Sequence, residues 1–235
     1  MIHGTGSWKL LVDPLVLRAL QEDIPFGDAS TEAVLPNPVK AEVQLLCKQD
    51  GVLAGLEVFT RVFWHLDHDV VVKTDMQDGH VVSQGQNIAT LRGDAGALLT
   101  GERTALNFLQ RLSGIASYTK ALAEAIKPYG AVLVDTRKTT PGLRFLEKYA
   151  VTVGGGQNHR FNLSDGILLK DNHLAAAGSV QEAVVRARKY APFVRKIEVE
   201  AETLDMVEEA LAAGADIIML DNMPLEWVKE AVKLC

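Results

Sequence analysis

Two apolar runs in the middle of the sequence, residues 131–134 and 166–169, each end abruptly in charged side chains. The first run is followed by D-T-R-K at residues 135–138, and the second by K-D-N-H at residues 170–173. Three glycines and the triplet N-H-R, residues 158–160, lie between the two runs. The formal net charge of the chain is −6, so this local concentration of cations does not follow from a basic composition. It predicts a site for an anionic small molecule.

These runs belong to a repeated alternation of strand-like and helical segments. The predicted strands cover residues 131–136, 166–170, 195–200 and 216–221, and the predicted helices cover residues 142–150, 179–190, 204–213 and 225–234. The strands are apolar on both faces, as parallel strands buried from both sides are. Repeated β/α units with right-handed crossovers predict a parallel sheet or barrel.

The carboxyl ends of these strands are where a β/α barrel carries its active site. In chain order they supply Arg137 and Lys138, then Lys170, then Glu198 and Glu200, and finally Asp221 and Asn222. Arginine offers a planar fork and lysine a compact charge for carboxylate or phosphate groups. Carboxylates suit ribose hydroxyls or a hydrated Mg²⁺ that also takes phosphate oxygens. The strand ends therefore predict a ligand set of an anion, a sugar and a magnesium-bound diphosphate.

The glycine triplet at residues 154–156 has two interpretations. It lets the backbone approach a ligand closely, or it is a flexible turn, since the dinucleotide pattern G-x-G-x-x-G is absent. We favour ligand contact because His159 and Arg160 follow. Lys170 leaves a rival reaction open, a Schiff-base aldolase, although the density of arginine favours anion binding.

The first part of the chain has a different pattern. Two short strands flank Asp78-Gly79, which predicts a hairpin, and a long helical segment follows over residues 97–127. We expect Ser113-Gly114 to divide that segment into two helices. The predicted fold class is therefore α/β: an N-terminal α+β, sandwich-like domain over residues 1–112, and an open, incomplete β/α barrel over residues 113–235.

Composition limits the partners. The chain has 235 residues and is 48% hydrophobic, which is ordinary for a soluble globular protein. Its net negative charge argues against nucleic acid or an anionic membrane surface as a partner. The two cysteines, Cys47 and Cys235, lack metal or redox spacing and predict a cytoplasmic protein with reduced thiols.

Several long motifs resemble those of the quinolinate phosphoribosyltransferases. They are, in the order of that family, E-D-I-P-F-G-D-A-S-T, G-E-R-T-A-L-N-F-L-Q-R-L-S-G-I-A, D-T-R-K-T-T-P-G-L-R, E-K-Y-A-V, G-G-G-Q-N-H-R, L-K-D-N-H, I-E-V-E and D-I-I-M-L-D-N-M. The resemblance implies a magnesium-dependent pentosyltransferase of NAD biosynthesis. Such an enzyme converts quinolinate and phosphoribosyl pyrophosphate into nicotinate mononucleotide, pyrophosphate and CO₂.

The resemblance also implies residue roles. Arg103, on a dimer-forming helix, would reach quinolinate in a neighbouring subunit, so the active form would be a homodimer or a higher homo-oligomer with shared active sites. The quinolinate carboxylates would be held by Arg137, His159 and Arg160. The catalytic residues would be Lys138, Lys170, Glu200 and Asp221. Of these, the two lysines would contact both substrates, and the two carboxylates would bind ribose hydroxyls or Mg²⁺, directly or through water.

The family pattern continues beyond Cys235 with further barrel strands and two phosphate-gripping loops, so the resemblance predicts a C-terminally truncated chain with little turnover. Two alternatives to the family reaction stay open at this point. One is a related barrel transferase for another anionic ring acid. The other is a truncated, non-catalytic binding or assembly domain.

Overall fold

The structure is a computed structural model that describes residues 6–235. Residues 1–5, which the first expected domain includes, lie outside that range. The chain divides into two compact units, the first ending at His159 and the second running from Arg160 to Cys235.

The first unit combines small antiparallel sheets with helices. Its helices are α1 (Lys9–Asp23), α2 (Ala29–Val34), α3 (Leu56–Leu66), α4 (Ala95–Ile126) and α5 (Arg144–Val153). Its strands are β1 (Lys40–Leu46), β2 (Gly51–Val52), β3 (Val71–Lys73), β4 (Val81–Val82) and β5 (Asn87–Asp94). One sheet has the order β1-β5-β3, and β2 pairs with β4.

The core of the first unit forms where the apolar stripes of α3 and α4 meet. Phe59 and Val62 of α3 and Leu109 and Leu112 of α4 are buried in one cluster. Each such side chain contributes about 1.5–3 kcal/mol when it leaves water. Gly55 precedes α3 in the left-handed region at φ 94°, and a Cβ there would lie 2.6 Å from the Leu112 side chain. A glycine is therefore required by both conformation and space.

The predicted break at Ser113-Gly114 was wrong, because α4 continues without interruption from Ala95 to Ile126. A glycine inside a helix costs only about 1 kcal/mol relative to alanine, and packing along the helix outweighs that cost. The serine has a separate role: Ser113 Oγ accepts from Ala54 N at 3.0 Å, and Ser117 Oγ accepts from Val52 N at 2.8 Å. These bonds attach the β2 segment to the helix.

The predicted hairpin around Asp78-Gly79 was also wrong. β3 pairs with β5, whereas β4 pairs with β2, so the two strands that flank the turn belong to different sheets. The Asp78 carboxylate accepts hydrogen bonds from Gly55 N at 2.8 Å and Leu56 N at 3.0 Å. It thereby satisfies backbone donors at the start of α3, and this tertiary contact draws the turn away from a local hairpin.

The second unit is a run of β/α repeats, as the sequence predicts. Its strands are β6 (Ile167–Leu169), β7 (Ile197–Ala201) and β8 (Ile217–Leu220), and its helices are α6 (Asp171–Ala177), α7 (Val180–Tyr190), α8 (Leu204–Ala212) and α9 (Leu225–Leu234). The strands are parallel in the order β6-β7-β8. Ser179 and Thr203 cap α7 and α8 through their side-chain oxygens. The mixed α/β class with a parallel second part is confirmed.

The predicted strand over residues 131–136 is not a regular strand. It makes a single parallel bridge, Val134 with Gln157, supported by bonds from Asp135 N to Gln157 O at 3.0 Å and from Gln157 N to Leu133 O at 2.8 Å. A strand needs a neighbour along its length, and among residues 6–159 only Gln157 forms a bridge with this segment. No helix between residues 6 and 235 is long and apolar enough to cross a membrane.

Candidate functional site

The segment that follows the bridge, residues 135–143, carries two of the predicted ligand-binding cations. Lys138 is exposed. Arg137 is half-buried, and its Nε atom is shielded from solvent without an acceptor among the described residues. A shielded donor without a partner is costly, so an anionic ligand oxygen would complete this group.

Two polar side chains of helix α5 hold that segment. Arg144 donates to Thr139 Oγ1 at 3.0 Å and to the Arg137 carbonyl at 3.4 Å. One turn later, Glu147 accepts from the backbone N–H of Thr140 at 3.1 Å. Residues three apart lie on one face of a helix, so a single face of α5 fixes the loop that carries Arg137.

Glu147 is also the partner of an arginine on α4. Arg111 Nε donates to Glu147 Oε1 at 2.8 Å, and Arg111 Nη2 contacts Thr140 Oγ1. Burial by itself raises the pKa of the Glu147 carboxyl, but the hydrogen bonds from Arg111 and Thr140 and the Arg111 charge outweigh it, so the pKa lies below its usual value. The carboxylate is therefore ionised near neutral pH and anchors the loop.

Lys148, the next residue of α5, forms a buried ion pair with Asp135. Its side chain is 1% exposed and that of Asp135 is 7% exposed. Asp135 Oδ1 accepts from His159 N at 2.9 Å, and Lys148 Nζ donates to His159 O at 3.0 Å. The Asn158 amide completes the group by donating to Asp135 Oδ2 at 2.6 Å and to Lys148 O at 3.0 Å. The predicted residue His159 is thus held at both of its backbone polar groups.

Two members of the glycine triplet pack against helix α4. A Cβ at Gly154 would lie 2.4 Å from Ala116 O, and one at Gly156 would lie 3.1 Å from Thr119 Cγ2, both on α4. Gly154 and Gly156 are buried. These two glycines let the segment pack closely against α4, and the ligand contact of the triplet stays a prediction.

In the second unit, the register of the parallel strands places the predicted residues side by side. Leu169 of β6 lies opposite Val199 of β7, so the residues that follow, Lys170 and Glu200, are also adjacent. Lys170 Nζ lies 2.6 Å from Glu200 Oε2, with the lysine side chain 45% exposed and the glutamate 14% exposed. At this distance the ammonium and the carboxylate form an ion pair.

Asp221 and Arg160 occupy two other positions in this unit. Asp221 directly follows β8, and its N–H donates to Ala201 O at the end of β7 at 2.9 Å. Glu200 lies opposite Met219, and Asp221 is two residues beyond Met219. Because strand side chains alternate, Asp221 continues on the side of Glu200. Arg160 Nη1 donates to Gly166 O at 3.1 Å, immediately before β6.

The acidic pair in the second unit fits a magnesium ion only in part. No group of three or more metal-binding side chains occurs in the described part of the chain. Glu200 and Asp221 supply carboxylates, and the Glu200 carboxylate is paired with Lys170. Mg²⁺ commonly takes one or two carboxylates and completes its octahedron with water and phosphate oxygens. The donor set is therefore suitable for Mg²⁺ if the substrate supplies the remaining ligands.

Arg103 lies on an exposed part of α4, beside a groove between that helix and β1. The groove has a volume of about 560 Å³, and its lining includes the exposed apolar side chains of Val43 and Leu99. Within residues 6–235, the Arg103 side chain makes no hydrogen bond or ion pair. The structure thus presents a free cation at the rim of an apolar surface.

Sequence reasoning missed the supporting residues of the first unit, namely Asp135, Glu147 and Lys148 as a set. The available signal was the motif E-K-Y-A-V, which places two charges inside a helix whose other residues are largely apolar. Charged residues are almost never fully buried without a partner, so that pair indicated a buried network. Its partners were not predictable from spacing alone.

Comparison with known proteins agrees with this arrangement. The profiles described as the N-terminal and the C-terminal domain of quinolinate phosphoribosyl transferase match residues 28–113 and 115–235, respectively. A Bacillus subtilis protein named probable nicotinate-nucleotide pyrophosphorylase (carboxylating) is 46% identical over 213 residues, which is 91% of this chain and 73% of that relative.

Solved structures of named family members are also similar to this chain. NadC from Streptococcus pyogenes is 53% identical with a TM-score of 0.93, covering 96% of this chain and 80% of that one. The nicotinate-nucleotide pyrophosphorylase from Francisella tularensis is 36% identical with a TM-score of 0.94, covering 100% of this chain and 82% of that one. With both domain profiles and these relatives matched, the chain belongs to the quinolinate phosphoribosyltransferase family.

Proposed function

We propose that this protein transfers the phosphoribosyl group of phosphoribosyl pyrophosphate to quinolinate and releases CO₂, giving nicotinate mononucleotide and pyrophosphate for NAD biosynthesis. The observation that carries the proposal is the match over 91% of the chain to a relative named for this reaction. The chemical types of the predicted residues support it. Arg137, Lys138 and the held His159 are cationic or polar groups suited to a dicarboxylate, whereas Glu200 and Asp221 suit a ribose.

The chemistry needs positioning more than reactive side chains. The quinolinate ring nitrogen forms a bond to the anomeric carbon as the bond to pyrophosphate breaks. The resulting pyridinium accepts the electron pair that is left when the bond to the 2-carboxylate breaks, and a proton then replaces CO₂ on the ring. Holding two anions in line converts this into an effectively unimolecular step. Cations placed where negative charge leaves would stabilise the transition state.

Individual roles follow from chemical type. Arg137, His159 and Arg160 would bind the quinolinate carboxylates, and Lys138 and Lys170 would contact both substrates. Glu200 and Asp221 would bind ribose hydroxyls and hold Mg²⁺, which would neutralise charge on the diphosphate. The Lys170–Glu200 ion pair would keep the lysine extended at the strand end before substrate arrives.

We also propose a homodimer or higher homo-oligomer in which Arg103 enters a neighbouring site. The exposed Arg103 and the apolar groove beside it support this, because exposed apolar surface next to an unused cation is typical of an interface. Sedimentation should give a species of at least two chains, and Arg103→Ala should weaken quinolinate binding without lowering the melting temperature.

We further propose a cytoplasmic location on the basis of the two free cysteines, although two plant relatives are named chloroplastic.

Calorimetric titration with quinolinate, followed by product analysis with both substrates, tests the proposed function. Quinolinate should bind, and nicotinate, which lacks the 2-carboxylate, should bind more weakly. Absence of quinolinate binding would favour a transferase for a different ring acid. Binding without nicotinate mononucleotide formation would instead overturn the catalytic part of the proposal and support the non-catalytic alternative.

A further inference from the structure

The buried ion pair of Lys148 and Asp135 has no direct access to a ligand. Lys148 is 1% exposed, so it cannot contact substrate as the predicted ligand-binding lysines would. Its contacts are all internal, to Asp135 and to the carbonyl of His159 among them. Any part it plays in function must therefore be exerted through other residues.

Stability alone is a poor explanation for such a pair. Removing two charges from water costs several kcal/mol per ion, and a buried pair is often no more stabilising than apolar residues of the same volume. The first unit already has an apolar core in which α4 and α5 take part through Leu112, Ala116, Leu146 and Ala150. A buried lysine and aspartate at this position can make hydrogen bonds of defined direction, which apolar side chains cannot make.

That specificity is visible in the hydrogen bonds. Asp135 accepts from the N–H of His159, and Lys148 donates to its C=O. Asp135 is two residues before Arg137, so the same carboxylate joins the segment that carries Arg137 to the segment that carries His159. An apolar pair of equal volume would leave both backbone groups of His159 without these partners.

We propose that Lys148, acting with Asp135, is a positioning residue that sets the distance between Arg137 and His159 for binding of the dicarboxylate. The proposal rests on the function proposed above. Misplacement of a binding group by about 1 Å costs on the order of 100-fold, so loss of the pair should weaken quinolinate binding far more than binding of phosphoribosyl pyrophosphate, whose predicted carboxylate ligands are on β7 and after β8.

The experiment compares Lys148→Met with Arg61→Met. Arg61 is the control because it forms a partly buried pair with Asp13 in the same unit, with Nη2 to Oδ2 at 2.6 Å, and has no predicted ligand role. Both variants should lose stability. Only Lys148→Met should raise the dissociation constant for quinolinate, by roughly 10- to 100-fold, with little change for phosphoribosyl pyrophosphate. Equal losses for both ligands, or equal effects of the two variants, would overturn the proposal.

A second variant covers the case in which Lys148→Met does not fold. Asn158→Ala leaves the buried charges paired but removes the amide that bridges Asp135 and the Lys148 carbonyl. It should fold and weaken quinolinate binding by roughly 3- to 10-fold, the loss of one or two hydrogen bonds. Unchanged binding by this variant would contradict the proposed positioning.

Amide hydrogen exchange separates this proposal from the proposed function. In Lys148→Met, or in Asn158→Ala if the former does not fold, peptides covering residues 157–160 should exchange faster than in the parent protein, with no ligand present. Unaltered exchange would refute the positioning role even if quinolinate binds. If the parent protein binds no quinolinate but exchange accelerates in the variant, the proposed function fails while the structural coupling stands.

Discussion

Two regions of the molecule carry the predicted ligand-binding residues, and they are built differently. In the loop that carries Arg137 and in the loop that carries His159, buried or half-buried side chains of α5 satisfy the surrounding backbone groups. At the strand ends of the second unit, Lys170 and Glu200 form one partly exposed ion pair. Internal hydrogen bonds hold the first region and leave one shielded donor, Arg137 Nε, for a ligand, whereas the second region presents a partly exposed ion pair that a ligand can replace.

This difference suits the two proposed substrates. A rigid aromatic dicarboxylate is best recognised by groups held in a fixed geometry, because preorganisation lowers the entropic cost of binding. A flexible phosphorylated sugar with a diphosphate is better met by groups that exchange an internal ion pair for contacts to hydroxyls, phosphate and Mg²⁺. Substitutions in the two regions should therefore have separable effects on ligand affinity and on the free energy of unfolding.

The largest effect is expected for Arg137→Ala. Loss of a charged, half-buried partner should weaken quinolinate binding by about 3 kcal/mol, on the order of 100-fold. Stability should change little, because Arg137 Nε has no acceptor in the described part of the unliganded protein. Calorimetric titration measures the affinity, with Arg186→Ala on an exposed helical face as the control. Equal affinities of the two variants would contradict the assignment of Arg137.

Glu200→Gln should produce the next largest effect. We expect affinity for phosphoribosyl pyrophosphate to fall by about 2 kcal/mol, roughly 30-fold. The free energy of unfolding should change by less than about 1 kcal/mol, since its partner Lys170 is 45% exposed and such pairs contribute little. The exposed neighbour Glu202 offers the matched control, Glu202→Gln. A large loss of stability in Glu200→Gln would show that this strand end is as structural as the first region.

At neutral pH, Glu147→Gln should affect stability more than affinity for phosphoribosyl pyrophosphate, which is the reverse of the result expected for Glu200→Gln. It weakens the bond to Arg111 and the bond to Thr140 N, so the free energy of unfolding should drop by about 1–2 kcal/mol. Affinity for phosphoribosyl pyrophosphate should not change. Urea denaturation measures the stability, and an unchanged midpoint would mean that the loop does not depend on this carboxylate.

The same variant gives a pH test with a defined sign. The pKa of Glu147 is lower in the folded state than its usual 4.5, so the folded protein resists protonation and the carboxylate contributes stability above that pH. The contribution is lost as pH falls from about 4.5 through the lowered pKa. The stability difference between the parent protein and Glu147→Gln should therefore shrink as pH falls over this range. A constant difference would exclude the ionised carboxylate as its cause.

The smallest effect is expected for Tyr149→Phe. Tyr149 OH donates to Asp78 Oδ2 at 2.6 Å, and Asp78 in turn caps α3. Burial, followed by the Asp78 carboxylate, raises the pKa of the Tyr149 hydroxyl, which therefore stays protonated as a donor. Its removal should cost about 1 kcal/mol in the free energy of unfolding. Thermal melting measures this, and a stabilised variant would contradict the proposed donor role.

The sequence by itself determined the α/β class, the family and the order of the β/α repeats. Periodicity shows which face of a helix is buried and where an apolar strand ends in charge, and these are local properties. The strands β6 and β8 therefore lie within their predicted limits, and β7 extends one residue beyond its predicted end at residue 200. The domain limits and the individual ligand roles stay predictions.

Only the tertiary structure decided which charges are partners. Asp78 looked like half of a hairpin turn, yet it bonds to the start of α3 and to Tyr149, 71 positions away. The glycine triplet suggested a ligand, yet two of its members make room for α4. Asp135 and Lys148 lie 13 positions apart, and their pairing depends on how α5 packs beneath the loop. Local pattern specifies which groups need a partner, but contacts distant in sequence determine which partner they find.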